Sequence, residues 1–64
     1  MKIVLNGEVH DVSARTLDAV LVEIGFDGLL ATAVNGDFVP QLERKTRVLK
    51  DHDRVEVLAP MQGG

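Results

Sequence analysis

The first segment of the chain is apolar at every second position and broken by a polar pair. Met1, Ile3 and Leu5 fall on one side of an extended run, Asn6-Gly7 interrupts it, and Glu8-Val9-His10-Asp11-Val12 resumes it. Asn-Gly between β-type runs is the strongest short hairpin signal, because a type I′ turn needs positive φ at both central residues. Strands are predicted over 1–5 and 8–12, with Met1, Ile3 and Leu5 toward the core and Val4 out of phase. Leu17, Val20, Leu21 and Ile24 then follow the i, i+3, i+4, i+7 spacing of one helix face. Thr16 is placed to cap that helix, and Asp18 faces the positive end of its dipole. Gly25 falls where a left-handed C-terminal cap belongs, with Phe26 positioned for the accompanying apolar contact. A helix of about two turns does not persist alone, so it must lie on a sheet.

A second hairpin signal follows. Leu30-Ala31-Thr32-Ala33-Val34 leads through Asn35-Gly36 into Asp37-Phe38-Val39-Pro40. Pro40 has no N–H to donate and should end its strand or set it at an edge. Residues 41–50 are polar and irregular, with Leu42, Val48 and Leu49 as the expected anchors to the core. Arg44-Lys45-Thr46-Arg47 reads as a short basic patch on a solvated loop, able to steer an acidic partner. Asp51-His52-Asp53 reads as a turn. In Arg54-Val55-Glu56-Val57-Leu58 the valines share one face, leaving Glu56 and Leu58 on the other. The expected organisation is one α+β domain over 1–59, followed by a flexible tail over 60–64. Its sheet is mixed, of four to five strands, with one helix across one face. The economical closure sets the last strand beside the first, parallel and central. The other sheet face then stays open.

Composition narrows the function. With 64 residues there is room for one small domain and little for an enclosed active site. The absence of cysteine excludes a disulfide framework, a thiolate zinc site and a cysteine nucleophile, and fits a reducing compartment. No charged n-region followed by a long apolar run is seen, so no secretory signal is expected, and no apolar run approaches the roughly 20 residues that span a bilayer. The protein is expected to be soluble and cytoplasmic, with no membrane partner. A net charge of −3 and two aromatic residues, Phe26 and Phe38, argue against nucleic-acid binding. His10 and His52 lie in different elements without metal-ligand spacing and read as surface residues. Asp51 and Asp53 are better explained by turn chemistry than by acid–base catalysis.

The distinctive end is Gly63-Gly64. At a typical glycine usage of about 7%, a terminal pair arises by chance about 0.5% of the time. The body also carries Met1-Lys2-Ile3-Val4-Leu5-Asn6-Gly7-Glu8, Ala33-Val34-Asn35-Gly36-Asp37-Phe38-Val39-Pro40 and Leu49-Lys50-Asp51-His52-Asp53-Arg54-Val55-Glu56-Val57. In order and spacing these resemble the ThiS family, the ubiquitin-like sulfur carriers of thiamine biosynthesis, along the whole chain. Two departures stand out. His52 replaces the glycine frequent in the family's Asp-x-Asp turn, and Met61-Gln62 precede the glycines where small residues are usual.

The resemblance implies a β-grasp fold and a carrier that is a cosubstrate, with no catalytic residue and no bound cofactor of its own. An E1-like adenylyltransferase of the ThiF type would use ATP-Mg to adenylate the Gly64 carboxylate. A sulfur source such as a cysteine desulfurase would then yield a C-terminal 1-thioglycine, and a thiazole synthase of the ThiG type would take the sulfur. Pro60, Met61, Gln62 and Gly63 would thread the partners' active sites. Glycine suits a narrow channel because it has no Cβ. Leu58, with Phe38 if it points outward, is the candidate partner patch on the open face. The carrier is expected to be monomeric. Two other readings stand beside this one. The same chemistry could serve molybdopterin synthesis, as in the related MoaD family, or tRNA thiolation. A different class, a non-covalent β-grasp binding module, would need a basic or aromatic surface and no particular C-terminus.

Overall fold

The structure, a computed structural model, describes residues 1–59. Its frame is set by the two Asn-Gly pairs. Asn6 and Gly7 have φ of 50° and 85°, and Asn35 and Gly36 have 51° and 87°. All four sit in the left-handed region that a type I′ turn requires. The first turn joins β1 (Lys2–Leu5) to β2 (Glu8–Asp11), and the second joins β3 (Ala31–Val34) to β4 (Asp37–Val39). Both pairs are antiparallel. β5 (Arg54–Leu58) enters between the hairpins, parallel to β1 and antiparallel to β3. The resulting five-stranded mixed sheet has the order β2-β1-β5-β3-β4, so the last strand made is the central one.

The helix α1 (Leu17–Ile24) covers one face. The Thr16 hydroxyl accepts the Ala19 N–H, and Gly25 at φ 109° closes the C-terminus, where the Gly25 and Phe26 N–H groups both donate to the Leu21 carbonyl. The helix buries Leu17, Val20 and Leu21 against Ile3, Leu5, Val34, Val39, Val55 and Val57. Met1, Ile24 and Phe26 pack at the margin of that cluster. Val4, which breaks the alternation of the first strand, points to the opposite face and pairs across the sheet with exposed Val9.

The segment between β4 and β5 departs from its expected anchoring. Pro40 ends β4 and opens a short 3₁₀ turn, Gln41–Glu43. Leu49 is buried, as expected, but Leu42 is 91% exposed and Val48 is 60% exposed. For Val48 the cause lies in the backbone. The N–H groups of Leu17 and Asp18, at the start of α1, donate to the carbonyls of Arg47 and Arg44, and the Leu49 N–H donates to Arg15. This pairing satisfies helix amides that would otherwise be orphaned. It also turns Leu49 inward and its neighbour Val48 outward.

The loop's basic run is corrected as well. Arg44 is buried, and its Nε donates to the Thr32 hydroxyl at 3.0 Å while its Nη2 donates to the Leu30 carbonyl. Thr32 passes the chain on by donating to the Val39 carbonyl at 2.9 Å. Arg44 is therefore a strut between the 3₁₀ segment and β3 and takes no part in a solvated basic patch.

Candidate functional site

The site is built around the outgoing end of β5. Val55 and Val57 face the helix, so alternation sends Glu56 and Leu58 to the open face. Leu58 is 72% exposed there and lies opposite Ala31 of β3. Phe38 is also on this face, 69% exposed and opposite Ala33. The two residues line one hollow with Ala31, Ala33 and Glu56. Leu58 also borders a second, almost wholly apolar hollow of about 390 Å³, formed with Leu29, Leu30, Ala31 and Ala59. Small residues on β3 thus leave Leu58 as a ridge between two depressions at the point where the chain leaves the sheet. Leu29 belongs to this surface and was not foreseen. In the sequence Gly28-Leu29-Leu30 has no period that says which leucine packs inward; in the fold Leu30 packs on the core and Leu29 is left outside.

A second unforeseen feature is how the Asn-Gly turns hold β5. Asn6 accepts the Val57 N–H on Oδ1 at 2.9 Å and donates from Nδ2 to the Val57 carbonyl at 3.1 Å. Asn35 accepts the Arg54 N–H on Oδ1 at 2.9 Å and donates to Asp53 Oδ1 at 3.0 Å. Each turn therefore grips one end of the central strand, in addition to shaping its own hairpin. The sequence announces Asn-Gly as a turn and gives no sign of the second role.

The turn that launches β5 is set by carboxylates. Asp51 accepts the Lys2 N–H at 2.7 Å, a bond that holds its carboxyl below the ordinary value. Burial pushes the Asp53 carboxyl up. Hydrogen bonds from Asn35 and the Lys50 N–H, with the charges of Lys50 and Arg47, outweigh that and leave it lowered. His52 between them has φ 71°, the left-handed backbone at which glycine is the easier residue. Both aspartates are thus occupied in turn geometry. Among the described residues no group of three or more His, Cys, Asp or Glu side chains is arranged to hold a metal ion, and no helix is long and apolar enough to cross a membrane. The sequence-predicted site residues Pro60, Met61, Gln62, Gly63 and Gly64 lie outside the described residues.

Comparison with known proteins places this geometry in a family. The sequence model of the ThiS family matches residues 3–64. The sulfur carrier protein ThiS of Thermus thermophilus is 43% identical over 61 residues, covering 94% of this chain and 95% of the relative. The crystal structure of the thiamine biosynthesis protein ThiS from Geobacter metallireducens superposes with a TM-score of 0.80 at 23% identity, covering all of both chains. The solution structure of a thiamine biosynthesis protein from Geobacter metallireducens gives 0.79 at the same identity, over all of this chain and 88% of that one. At that identity the structures speak for the fold, which is the ubiquitin-like β-grasp. Sequence match, coverage and fold agree, and the chain belongs to the ThiS family.

Proposed function

We propose that this protein is a sulfur carrier of thiamine biosynthesis and that its working group is the carboxylate of Gly64. The observation that carries the reading is the placement of β5. The central strand, held on both flanks, runs out beside the Leu58 ridge and leads into the segment ending in Gly63-Gly64. A β-grasp body over 1–59 then serves as the handle that partner enzymes grip, and residues 60–64 serve as the delivery segment. Membership in the ThiS family supports this reading, and so does the name of the Thermus relative.

The chemistry follows from the carboxylate. An α-carboxyl group has a pKa of about 3.3–3.7 and is ionised at neutral pH, a poor electrophile but a competent nucleophile. One Gly64 oxygen attacks the α-phosphorus of ATP in an adenylyltransferase of the ThiF type. Pyrophosphate leaves and an acyl-adenylate forms. A sulfur nucleophile adds at the carbonyl and expels AMP, which carries away the attacking oxygen; where the donor is the persulfide that a cysteine desulfurase forms, a thiol then attacks the S–S bond of the acyl disulfide, leaves as a disulfide and releases the thiocarboxylate. The resulting thiocarboxylate at Gly64 gives its sulfur to the thiazole ring in a ThiG-type synthase. Activation through a mixed anhydride divides one difficult substitution into two easier ones. The carrier supplies a reacting terminus and a docking body, while ATP, Mg²⁺ and the catalytic groups belong to its partners.

A chain extended by one alanine after Gly64 tests the assignment of the terminus. It retains the body, but its carboxylate sits one residue further out and carries a Cβ. Pyrophosphate release with the adenylyltransferase and ATP-Mg is expected to fall to background. Release at the rate of the unextended chain would overturn the assignment.

A further inference from the structure

We infer that Asn6 is a positioning residue for the reacting tail: its side-chain amide completes the sheet at the last core residue of β5 and so fixes where the tail departs. The inference rests on the carrier reading above. The ladder geometry gives the reason. β1 and β5 pair in parallel, with the Val4 N–H on the Asp53 carbonyl and the Asn6 N–H on the Val55 carbonyl, each at 2.9 Å. In a ladder continued with the same pattern, the Val57 N–H would next go to the carbonyl of residue 6, and the Val57 carbonyl would take the N–H of residue 8. The chain cannot supply these, because it turns away at Asn6-Gly7 to make the hairpin. The Asn6 carboxamide replaces both. Oδ1 accepts the Val57 N–H and Nδ2 donates to the Val57 carbonyl. One side-chain amide thus stands in for the missing peptide of the neighbouring strand.

The same device at the other end of β5 makes a natural control. The Asn35 N–H donates to the Arg54 carbonyl, and Asn35 Oδ1 takes the place of its own backbone carbonyl in accepting the Arg54 N–H. Asn35 therefore secures the entry to β5, and Asn6 secures the exit. On its β3 side the exit is held by the register of Ala31 with Leu58. On its β1 side the strand pairing ends at Leu5 with Val55, and the Asn6 amide alone among the described residues carries it on to Val57. Register is consequential here. A slip of one residue would turn Leu58 inward and Val57 out. A slip of two would shift the exit of β5 by about 6.6 Å. Either slip would move the point from which the delivery segment starts, and with it the share of orientations in which the Gly64 carbonyl reaches the reacting position.

The test compares Asn6→Gly with Asn35→Gly, each of which keeps a turn residue that accepts positive φ. Amide exchange followed by NMR reads the clamp without any partner. In Asn6→Gly the Val57 N–H is expected to exchange about tenfold faster relative to Val55 and Thr32, while in Asn35→Gly that ratio stays at the wild-type value. Adenylate formation, measured well below the melting temperature of both variants, reads the consequence. Asn6→Gly is expected to lose about tenfold in kcat with KM little changed, because the docking face is intact and the tail misplaced. Asn35→Gly, with a comparable stability loss, is expected to keep its kcat. Equal kcat loss in both variants would assign the effect to stability and overturn the inference, as would an unchanged kcat or an unchanged Val57 exchange ratio in Asn6→Gly. Should Asn6→Gly fail to fold, Asn6→Asp carries the kcat comparison alone, since it keeps the turn and the acceptor for the Val57 N–H and gives up the donor to the Val57 carbonyl; a kcat equal to that of Asn35→Gly would overturn the inference. If the wild-type chain forms no adenylate, the carrier reading fails by itself, and the exchange ratio still decides whether the clamp sets the exit of β5.

Discussion

At the scale of single residues, most of what matters in this protein is polar side chains replacing backbone that is not there. Asn6 and Asn35 extend the ladders beside β5, Thr16 caps α1, and Arg44 supplies a donor to the Leu30 carbonyl. The chain itself foretells part of this. Thr16 and Gly25 are legible because caps obey local rules, and the left-handed φ of His52 could be foreseen from its place between two turn-forming aspartates. Arg44 is not legible, because its environment exists only after β3, α1 and the 3₁₀ segment have closed around it. Leu42 misleads for the opposite reason. An apolar side chain in an irregular segment carries no period to say which way it points, and here it points to solvent. Replacing Arg44 by leucine keeps apolar bulk but leaves the Leu30 carbonyl without its donor. The expected loss is about 1–3 kcal/mol of unfolding free energy, the range for an unsatisfied buried acceptor. Urea denaturation measures it, and a midpoint at or above wild type would show that the strut is dispensable.

At the scale of elements, the short helix depends on its surroundings. α1 has 8 residues, too few to be stable in isolation. Its start is tied to the 44–49 segment, and from its far end Glu23 reaches back to accept the N–H groups of Ser13 and Ala14, at 2.8–3.0 Å. These backbone bonds from Ser13 and Ala14 hold the Glu23 carboxyl below its ordinary value of 4.5. Asp51 and Asp53 are lowered as well, from 3.8. A carboxyl lowered in the folded state contributes stability that is fully present above its unfolded value and is lost as pH falls through its folded value, because the unfolded chain then binds the extra proton. The urea midpoint should therefore be level from pH 7 to about pH 5 and decline below about 4.5. Glu23→Gln should lower the plateau and make the decline shallower, with Asp51 and Asp53 accounting for what remains. A Glu23→Gln curve parallel to wild type would contradict this assignment. The hairpins and the helix were legible because Asn-Gly and the i, i+3, i+4 spacing are local signals. The pairing of the 44–49 segment with the helix start was not, since long-range backbone bonds leave no mark on residue pattern.

At the scale of the whole molecule, topology makes the site. The strand order β2-β1-β5-β3-β4 puts the last strand in the middle, and that order was inferable because two hairpins and one helix leave few economical positions for a final strand. The alternation Val55, Val57 against Glu56, Leu58 then assigned Leu58 to the open face, where Phe38 joins it across the small residues of β3. Legibility stopped at the extent of the patch. Leu29 enters it from a loop, and a loop has no face until the fold is complete. If this surface receives the adenylyltransferase, Leu58→Asp should weaken binding by at least about tenfold, the effect of losing roughly 1.4 kcal/mol at a buried apolar contact. The far-UV spectrum and urea midpoint should stay close to wild type, because Leu58 is already largely exposed. Unchanged affinity by calorimetry would move the docking surface elsewhere. Whether Gly64 carries sulfur is read by intact-mass spectrometry. The purified protein is measured before and after incubation with its adenylyltransferase, ATP-Mg and a sulfur source. A sulfur carrier gains the mass of one oxygen replaced by one sulfur, localised by fragmentation to Gly64. No gain, with an adenylyltransferase shown to be active on another carrier, would contradict the carrier role.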